Sequence, residues 1–330
     1  MNIAVLGAGA WGTALAAVLS EHHTVRLWAR NPRQADEMIV RRENRLYLPG
    51  QMLPPALDIS ANLAASCAGA DLYIFATPSG GLRGALQQVA QGPGLKPLAW
   101  VCKGFEPDSG LLPHEVVAQT PAATVPRAVL SGPSFAQEVV AGLPTALTLA
   151  GDDGAYLAHL ASALHTERLR IYTSTDVIGV EVGGALKNVM AIAAGISDGL
   201  GLGQNARAAL LTRALAEMAR LGRALGGRQE TFMGLTGMGD LILTATGDLS
   251  RNRQVGLALA QGRKLDEVLE GLGHVAEGVH SVREALALGQ RLQVELPITA
   301  AVYEILYEGA SPAEEVQQLM RRELKAEEPA

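Results

Sequence analysis

Up to about residue 172 the apolar positions fall in short, dense blocks. Asn2–Leu6, Thr24–Trp28, Leu72–Ala76, Leu98–Cys102, Ala128–Leu130, Thr145–Leu149 and Leu169–Tyr172 read as strands, and Ala10–Ser20 between the first two reads as a helix. Continuous apolar runs, rather than strict alternation, predict strands covered on both faces. That is the signature of a mostly parallel sheet with helices on either side.

Near Thr173 the pattern changes, and beyond Asp176 no segment reads as a strand. Asn205–Leu221 puts Leu210, Leu211, Ala214, Leu215, Met218 and Leu221 on one helical stripe. Val180–Ala194, Leu265–Leu272, Val282–Leu292 and Ala300–Tyr307 are also compatible with helix, and the acidic tail around Glu323, Glu327 and Glu328 reads as a solvated end. The expectation is an α/β N-terminal domain over residues 1–174 and an all-α C-terminal domain over 175–330, with a substrate cleft between them.

Composition narrows the function classes. A chain of 330 residues with 48% hydrophobic and 18% charged positions can build two cored domains and is not disordered. A net charge of −6 argues against a nucleic-acid partner. Cys67 and Cys102 lack metal-ligand spacing, and the adjacent His22 and His23 do not suit one ion, so no metal is expected and a reducing compartment is. Met1 leads directly into a strand-like run without a charged leader, and no apolar stretch reads as a membrane span. The expected protein is soluble and cytoplasmic, with no membrane partner.

Chemistry enters with Gly7-Ala8-Gly9-Ala10-Trp11-Gly12, between the first strand and first helix. Gly7 permits the tight turn, Gly9 lets a pyrophosphate approach the backbone, and Gly12 allows close helix–strand packing, as in a Rossmann-like dinucleotide site. The second strand ends in Trp28-Ala29-Arg30-Asn31, without the usual NAD-selecting carboxylate. Arg30 is either a 2′-phosphate ligand or an ordinary surface arginine. Lys103-Gly104 and Gly132-Pro133-Ser134-Phe135-Ala136 follow later strands at the edge where open α/β sheets bind ligands, though both also suit plain turns.

Lysine is scarce: five of the 27 basic residues, the rest being arginine. Lys187 lies in an apolar helical run with Gly183, Gly184, Met190 and Ala191 as its neighbours one turn away, so nothing on its own helix pairs with it. Such a lysine either snorkels to solvent or is kept for proton transfer, its pKa lowered by burial. Asn188 is adjacent. Thr236-Gly237-Met238-Gly239-Asp240 with Thr244 leads into a helix that Asp240 caps on the simplest reading. Ser250-Arg251-Asn252-Arg253 combines a capping serine, free N–H groups and an arginine, either a phosphate site or a solvated helix end.

In this order the segments resemble the NAD(P)-dependent glycerol-3-phosphate dehydrogenase family of the bacterial soluble type. The likeness runs from Ile3 to about Pro312. It is most specific in Gly234–Leu241 and Leu249–Arg253, with Lys187-Asn188, Gly201-Leu202-Gly203-Gln204-Asn205 and Val275-Ala276-Glu277-Gly278 matching as well. The resemblance implies reduction of dihydroxyacetone phosphate to sn-glycerol 3-phosphate with NADPH or NADH, a homodimer, and supply of glycerol 3-phosphate for phospholipid synthesis. It implies Lys187 as acid/base and Lys103, Gly132, Ser134, Asp240, Ser250, Arg251 and Asn252 as substrate ligands. Trp11, Arg30, Lys103, Ala136, Arg251, Val275 and Glu277 fall on dinucleotide contacts; Asn188, Asn205 and Thr244 support the site. Ala10 departs from the commoner Ser or Thr, and Arg207 from the commoner Lys. Two rivals share parts of the pattern: another two-domain hydroxy-acid dehydrogenase, which does not need the Ser250-Arg251-Asn252 site, and a non-catalytic NADPH-binding regulator, which leaves Lys187 unexplained.

Overall fold

A computed structural model describes residues 1–272 and 276–323. Val275, Glu327 and Glu328 fall outside the described residues. The N-terminal half runs β1 (Asn2–Leu6), α1 (Ala10–Leu19), β2 (Thr24–Trp28), α2 (Pro32–Arg41), β3 (Glu43–Asn44), β4 (Leu48–Met52), β5 (Asp58–Ser60), α3 (Leu63–Cys67), β6 (Leu72–Phe75) and α4 (Ser79–Gln91). It continues β7 (Leu98–Trp100), α5 (Pro113–Ala118), β8 (Arg127–Ser131), α6 (Ala136–Val140), β9 (Thr145–Ala150), α7 (Gly154–Leu164) and β10 (Leu169–Ser174).

Eight of these strands form one sheet in the order β10-β9-β8-β7-β6-β1-β2-β5. Neighbours are parallel except β8 and β9, which pair antiparallel with Val129 opposite Ala150. Successive side chains of β1 enter opposite cores: Ile3 and Val5 pack on one face, Ala4 and Leu6 on the other. This is why the strands read as unbroken apolar runs. All seven expected strands are present. Three more were not expected: β5 offers only Ile59 to the core, and the β3–β4 hairpin is interrupted by Pro49 and Gly50.

After Ser174 the described residues contain helix and no strand: α8 (Val177–Gly199), α9 (Gly203–Ala224), α10 (Gln229–Phe232), α11 (Asp240–Thr246), α12 (Arg251–Ala260), α13 (Leu265–Leu272), α14 (Glu277–Arg291), α15 (Pro297–Tyr303) and α16 (Pro312–Met320). The helix expected over Ala300–Tyr307 is instead the end of α15 followed by a π-turn, Glu304–Glu308. Helix α8 is the axis of this half, buried continuously from Gly179 to Ser197. It meets α12 through glycine: a Cβ on Gly195 would lie 2.1 Å from the Arg253 carbonyl oxygen, and one on Gly256 2.1 Å from that of Ile192.

Helix α8 also corrects the expectation that no stretch matches a membrane span. Its 23 residues are long enough to cross one, and an 18-residue window within them is apolar enough, with a mean hydropathy of 1.5. Here 89% of that window is covered by protein, so its apolarity is that of a core helix surrounded by others.

Candidate active site

The first glycine loop sits where the sheet order reverses, β1 being flanked by β2 on one side and β6 on the other. Gly7 has φ +128°, and a Cβ there would lie 2.5 Å from the carbonyl oxygen of Ala76, the residue that follows β6. Gly12 packs against Gly7, whereas nothing lies within 4 Å of where a Gly9 Cβ would be. Gly9 caps α1, its carbonyl accepting from Thr13 N. The N–H groups of Ala10, Trp11 and Gly12 have no acceptor among the described residues. An open glycine face and free N–H groups at a helix start fit the pyrophosphate of a dinucleotide.

Trp11 links this crevice to the next loop: its Nε1–H donates to Ser134 Oγ at 2.8 Å and to the Ser134 carbonyl at 3.1 Å. Ser134 Oγ in turn donates to the Gly132 carbonyl. Ala136 is buried at the start of α6, in the same loop-to-helix turn. Glu277 begins α14 and is partly buried, its carboxyl pushed up by burial although the charges of Arg251, Lys187 and Lys103 oppose this.

The centre of the site is a charge cluster drawn from four elements. Lys103 follows β7, Gly132 follows β8, Lys187 comes from the middle of α8, and Asp240 and Thr244 come from α11. Asp240 accepts from Lys187 Nζ on Oδ1 at 2.6 Å and from Lys103 Nζ on Oδ2 at 2.6 Å. Lys187 also donates to Thr244 Oγ1 at 2.9 Å, and Lys103 to the Gly132 carbonyl at 2.9 Å. Each ammonium has three N–H groups and uses two, so one on each remains for a ligand.

Two expectations change here. Lys187 has no partner on its own helix, but it is not unpaired, because the fold brings a carboxylate from 53 residues away. Asp240 is not the helix cap: Gly239 holds that position, and Asp240 is 1% exposed beneath the two lysines. Burial lowers the Lys187 amine to about 8, helped by the Lys103 charge and opposed by Asp240. Burial alone would raise Asp240, but Lys103 and Lys187 hold it below its ordinary value. The anion is kept and the amine is poised near neutrality.

Ser250 caps α12 as expected, accepting from Arg253 N at 3.2 Å. Arg251 is exposed and the N–H groups of Arg251 and Asn252 are unpaired among the described residues, which leaves a helix start free for an anion. Asn252 is buried and otherwise occupied: it donates to Asn188 Oδ1 at 2.9 Å and accepts from Gly278 N, binding α8, α12 and the start of α14 together. The structure does not bring Asn205 to the cluster. It is exposed in the first turn of α9, beside an apolar groove lined by Ala206, Leu210 and Ile298. Arg207 keeps its charge in a pair with Asp198, which also holds Arg253. Arg30 is exposed beyond β2 without an ion pair among the described residues.

Sequence reasoning missed one buried acid near this site. Glu181 on α8 bonds Trp100 and His114. The signal was present, since a charged residue in the same apolar run is what singled out Lys187.

Two free ammonium donors at the mouth of a nucleotide-binding sheet, beside a helical second domain, are the equipment of a two-domain NAD(P)-dependent dehydrogenase. The chain belongs to the NAD-dependent glycerol-3-phosphate dehydrogenase family, whose N-terminal model matches residues 2–156 and whose C-terminal model matches 176–317. It is 58% identical to glycerol-3-phosphate dehydrogenase [NAD(P)+] of Thiobacillus denitrificans over 99% of this chain and 100% of that one. The corresponding Dechloromonas aromatica protein is 55% identical, with 99% of each chain covered. Among solved structures, glycerol-3-phosphate dehydrogenase from Coxiella burnetii is 44% identical with a TM-score of 0.93, covering 97% of this chain and 99% of that one.

Proposed function

We propose that this protein reversibly reduces dihydroxyacetone phosphate to sn-glycerol 3-phosphate with NADPH or NADH, Lys187 serving as general acid and base. The carrying observation is Lys187 itself: 8% exposed, fixed by Asp240 and Thr244, one N–H free, its amine near 8. The bound dinucleotide's contribution is a hydride for the substrate's carbonyl carbon. Lys187 gives a proton to the carbonyl oxygen as charge develops there, and in the reverse direction its free amine takes that proton from the alcohol. Lys103 offers its remaining N–H to the same oxygen region, while Asp240 orients both lysines. The start of α12, with Arg251, holds the substrate phosphate.

The same reading takes 1–174 as the dinucleotide unit and 175–330 as the substrate unit. With the resemblance to the bacterial soluble type it includes a cytoplasmic homodimer supplying glycerol 3-phosphate for phospholipid synthesis. Cofactor oxidation followed with dihydroxyacetone phosphate, dihydroxyacetone and a panel of keto acids, each with NADPH and NADH, tests it. Dihydroxyacetone phosphate is expected to be strongly preferred. Equal turnover of the phosphorylated and free ketones would remove the phosphate site, and preference for a keto acid would replace the substrate.

A further inference from the structure

The loop that carries Lys103 is held at both ends by one side chain of the other domain. Trp100, the last residue of β7, lies three positions before Lys103, and its Nε1–H donates to Glu181 Oε1 at 2.8 Å. At the far end of the loop, His114 in the first turn of α5 donates its backbone N–H to Glu181 Oε1 at 3.0 Å, and its Nδ1 lies 2.5 Å from Glu181 Oε2. Glu181 is 4% exposed on α8, six residues before Lys187. At about 1.5 Å per residue the two lie roughly 9 Å apart along one rigid helix.

We infer that Glu181 is a positioning residue: a staple that fixes the Lys103 loop to the helix bearing Lys187 and so sets the spacing of the two ammonium groups on Asp240. This rests on the proposed reading of Lys187 as the acid/base.

The geometry supports more than a structural role. A buried acid that only stabilised its surroundings could bond anywhere in the core. Glu181 instead bonds the two ends of the 100–114 segment and nothing else. Between those ends, with positive φ at Gly104, Asp108 and Gly110, the far part of the loop is tied by Glu106 N to the Leu111 carbonyl and by Arg83 to the Glu106 carboxylate, but no backbone hydrogen bond among the described residues holds the stretch from Cys102 to Phe105 that carries Lys103. Phe105 and Leu112 seat the loop in the helical core, but apolar contacts do not set the direction of a long lysine side chain. Burial pushes the Glu181 carboxyl up; burial alone would lower His114, but the hydrogen bond and charge of Glu181 hold it above its ordinary value.

The charges acting on Lys187 are those of Asp240, Lys103 and Glu277. If the staple is cut, Lys103 drifts, its repulsion of Lys187 weakens, and the Lys187 amine moves up. The experiment compares Glu181→Leu, Glu181→Gln and Trp100→Phe with wild type, measuring kcat, KM, NADPH affinity, melting temperature and the pH profile of kcat/KM. Glu181→Leu is expected to lose about tenfold or more in kcat with NADPH affinity kept, and to move the alkaline limb to higher pH. Glu181→Gln, which retains an acceptor for both ends, restores most of kcat. Trp100→Phe removes one arm only and falls between, and it carries the test if Glu181→Leu does not fold. A lowered melting temperature with kcat and the alkaline limb unchanged overturns the inference and makes Glu181 purely structural. If wild type itself does not turn over dihydroxyacetone phosphate, the proposed function has failed instead.

Discussion

Asp240 and Glu217 are both buried carboxylates, 1% and 0% exposed, yet they are built for opposite purposes. Glu217 on α9 meets the start of α15: it accepts from Ile298 N and Thr299 N, each at 2.9 Å, and from Thr299 Oγ1 at 2.6 Å. These donors are neutral, they belong to the folded chain, and they have nothing left to offer. Burial pushes the Glu217 carboxyl up, as expected where dipoles replace water without a paired cation. Asp240 is met by two ammonium groups, its carboxyl is held down, and each partner keeps a free N–H. Glu217 uses up its surroundings, whereas Asp240 leaves charge over. Excess charge held in a buried place is a cost to stability that a ligand can relieve.

The largest expected effect breaks the second half of that comparison. Lys187→Ala should lower kcat by at least ~10²-fold while dinucleotide binding is kept. Lys187→Arg should fail too, because a guanidinium does not release its proton. Near-normal kcat in either would remove Lys187 from the mechanism. Lys187→Met should not lower the melting temperature at neutral pH, because it deletes a desolvated charge and leaves Asp240 paired with Lys103. The sign with pH follows from the depressed amine, about 8 in the folded protein against a higher ordinary value. Between those values the unfolded chain binds more protons, so the penalty from Lys187 recedes as pH rises. Reduction needs the ammonium, so kcat/KM should fall above about pH 8, while oxidation of glycerol 3-phosphate should rise through the same range.

Arg251 at the start of α12 is exposed and makes no ion pair among the described residues, although its charge reaches the Glu277 carboxyl. Arg251→Ala should raise KM for dihydroxyacetone phosphate and lower kcat/KM, losing a charge-assisted contact of roughly 1.5–3 kcal/mol. Dihydroxyacetone should be nearly indifferent to the change. A similar loss for both ketones would mean that Arg251 does not face the phosphate.

Glu217→Ala sharpens the comparison from the other side. It strands the two N–H groups of Ile298 and Thr299, so it should cost about 1.5–3 kcal/mol in denaturant unfolding. Its kcat/KM, measured well below the melting transition, should stay near wild type. A large kinetic defect would make Glu217 more than a brace for α15.

These two acids also mark where the sequence was legible. Glu217 lies on the apolar stripe of α9 with Ala214, Met218 and Leu221, a polar residue at a core position that could have been noticed. Asp240 was singled out, as a simple cap on its local sequence and as a substrate ligand on the resemblance, but that it lies buried beneath two lysines was not legible, because its partners come from elements distant in sequence. The parallel strands were legible because burial on both faces makes unbroken apolar runs. The antiparallel turn of β9 against β8 was not, since strand direction leaves no mark in composition. β5 was too short to show a period. Lys187, Lys103 and Ser250 were found by type and context; that Asn252 clasps helices and that Asn205 lies away from the cluster needed the packing itself.

Arg30 is the mildest case of leftover charge, and it tests how far the contrast reaches into solvent. It stands just past β2, where NAD-selective folds place a carboxylate to bond the ribose 2′-hydroxyl. That carboxylate also repels a 2′-phosphate. Here the next residue, Asn31, spends its side chain capping α2, accepting from Arg33 N at 3.0 Å, so neither attraction for a bare ribose nor repulsion of a phosphate is present. Arg30 and Arg33 are both exposed. An exposed guanidinium is hydrated and screened, so it contributes less than the buried lysines do. NADPH should therefore be preferred, with NADH also used. Arg30→Ala should weaken NADPH more than NADH by about 1–3 kcal/mol in the difference. Titration of both cofactors against both proteins reads this directly, and the difference should shrink as salt is raised. Equal losses would show that Arg30 does not meet the 2′-phosphate and that any preference arises elsewhere, with Arg33 the next residue to change.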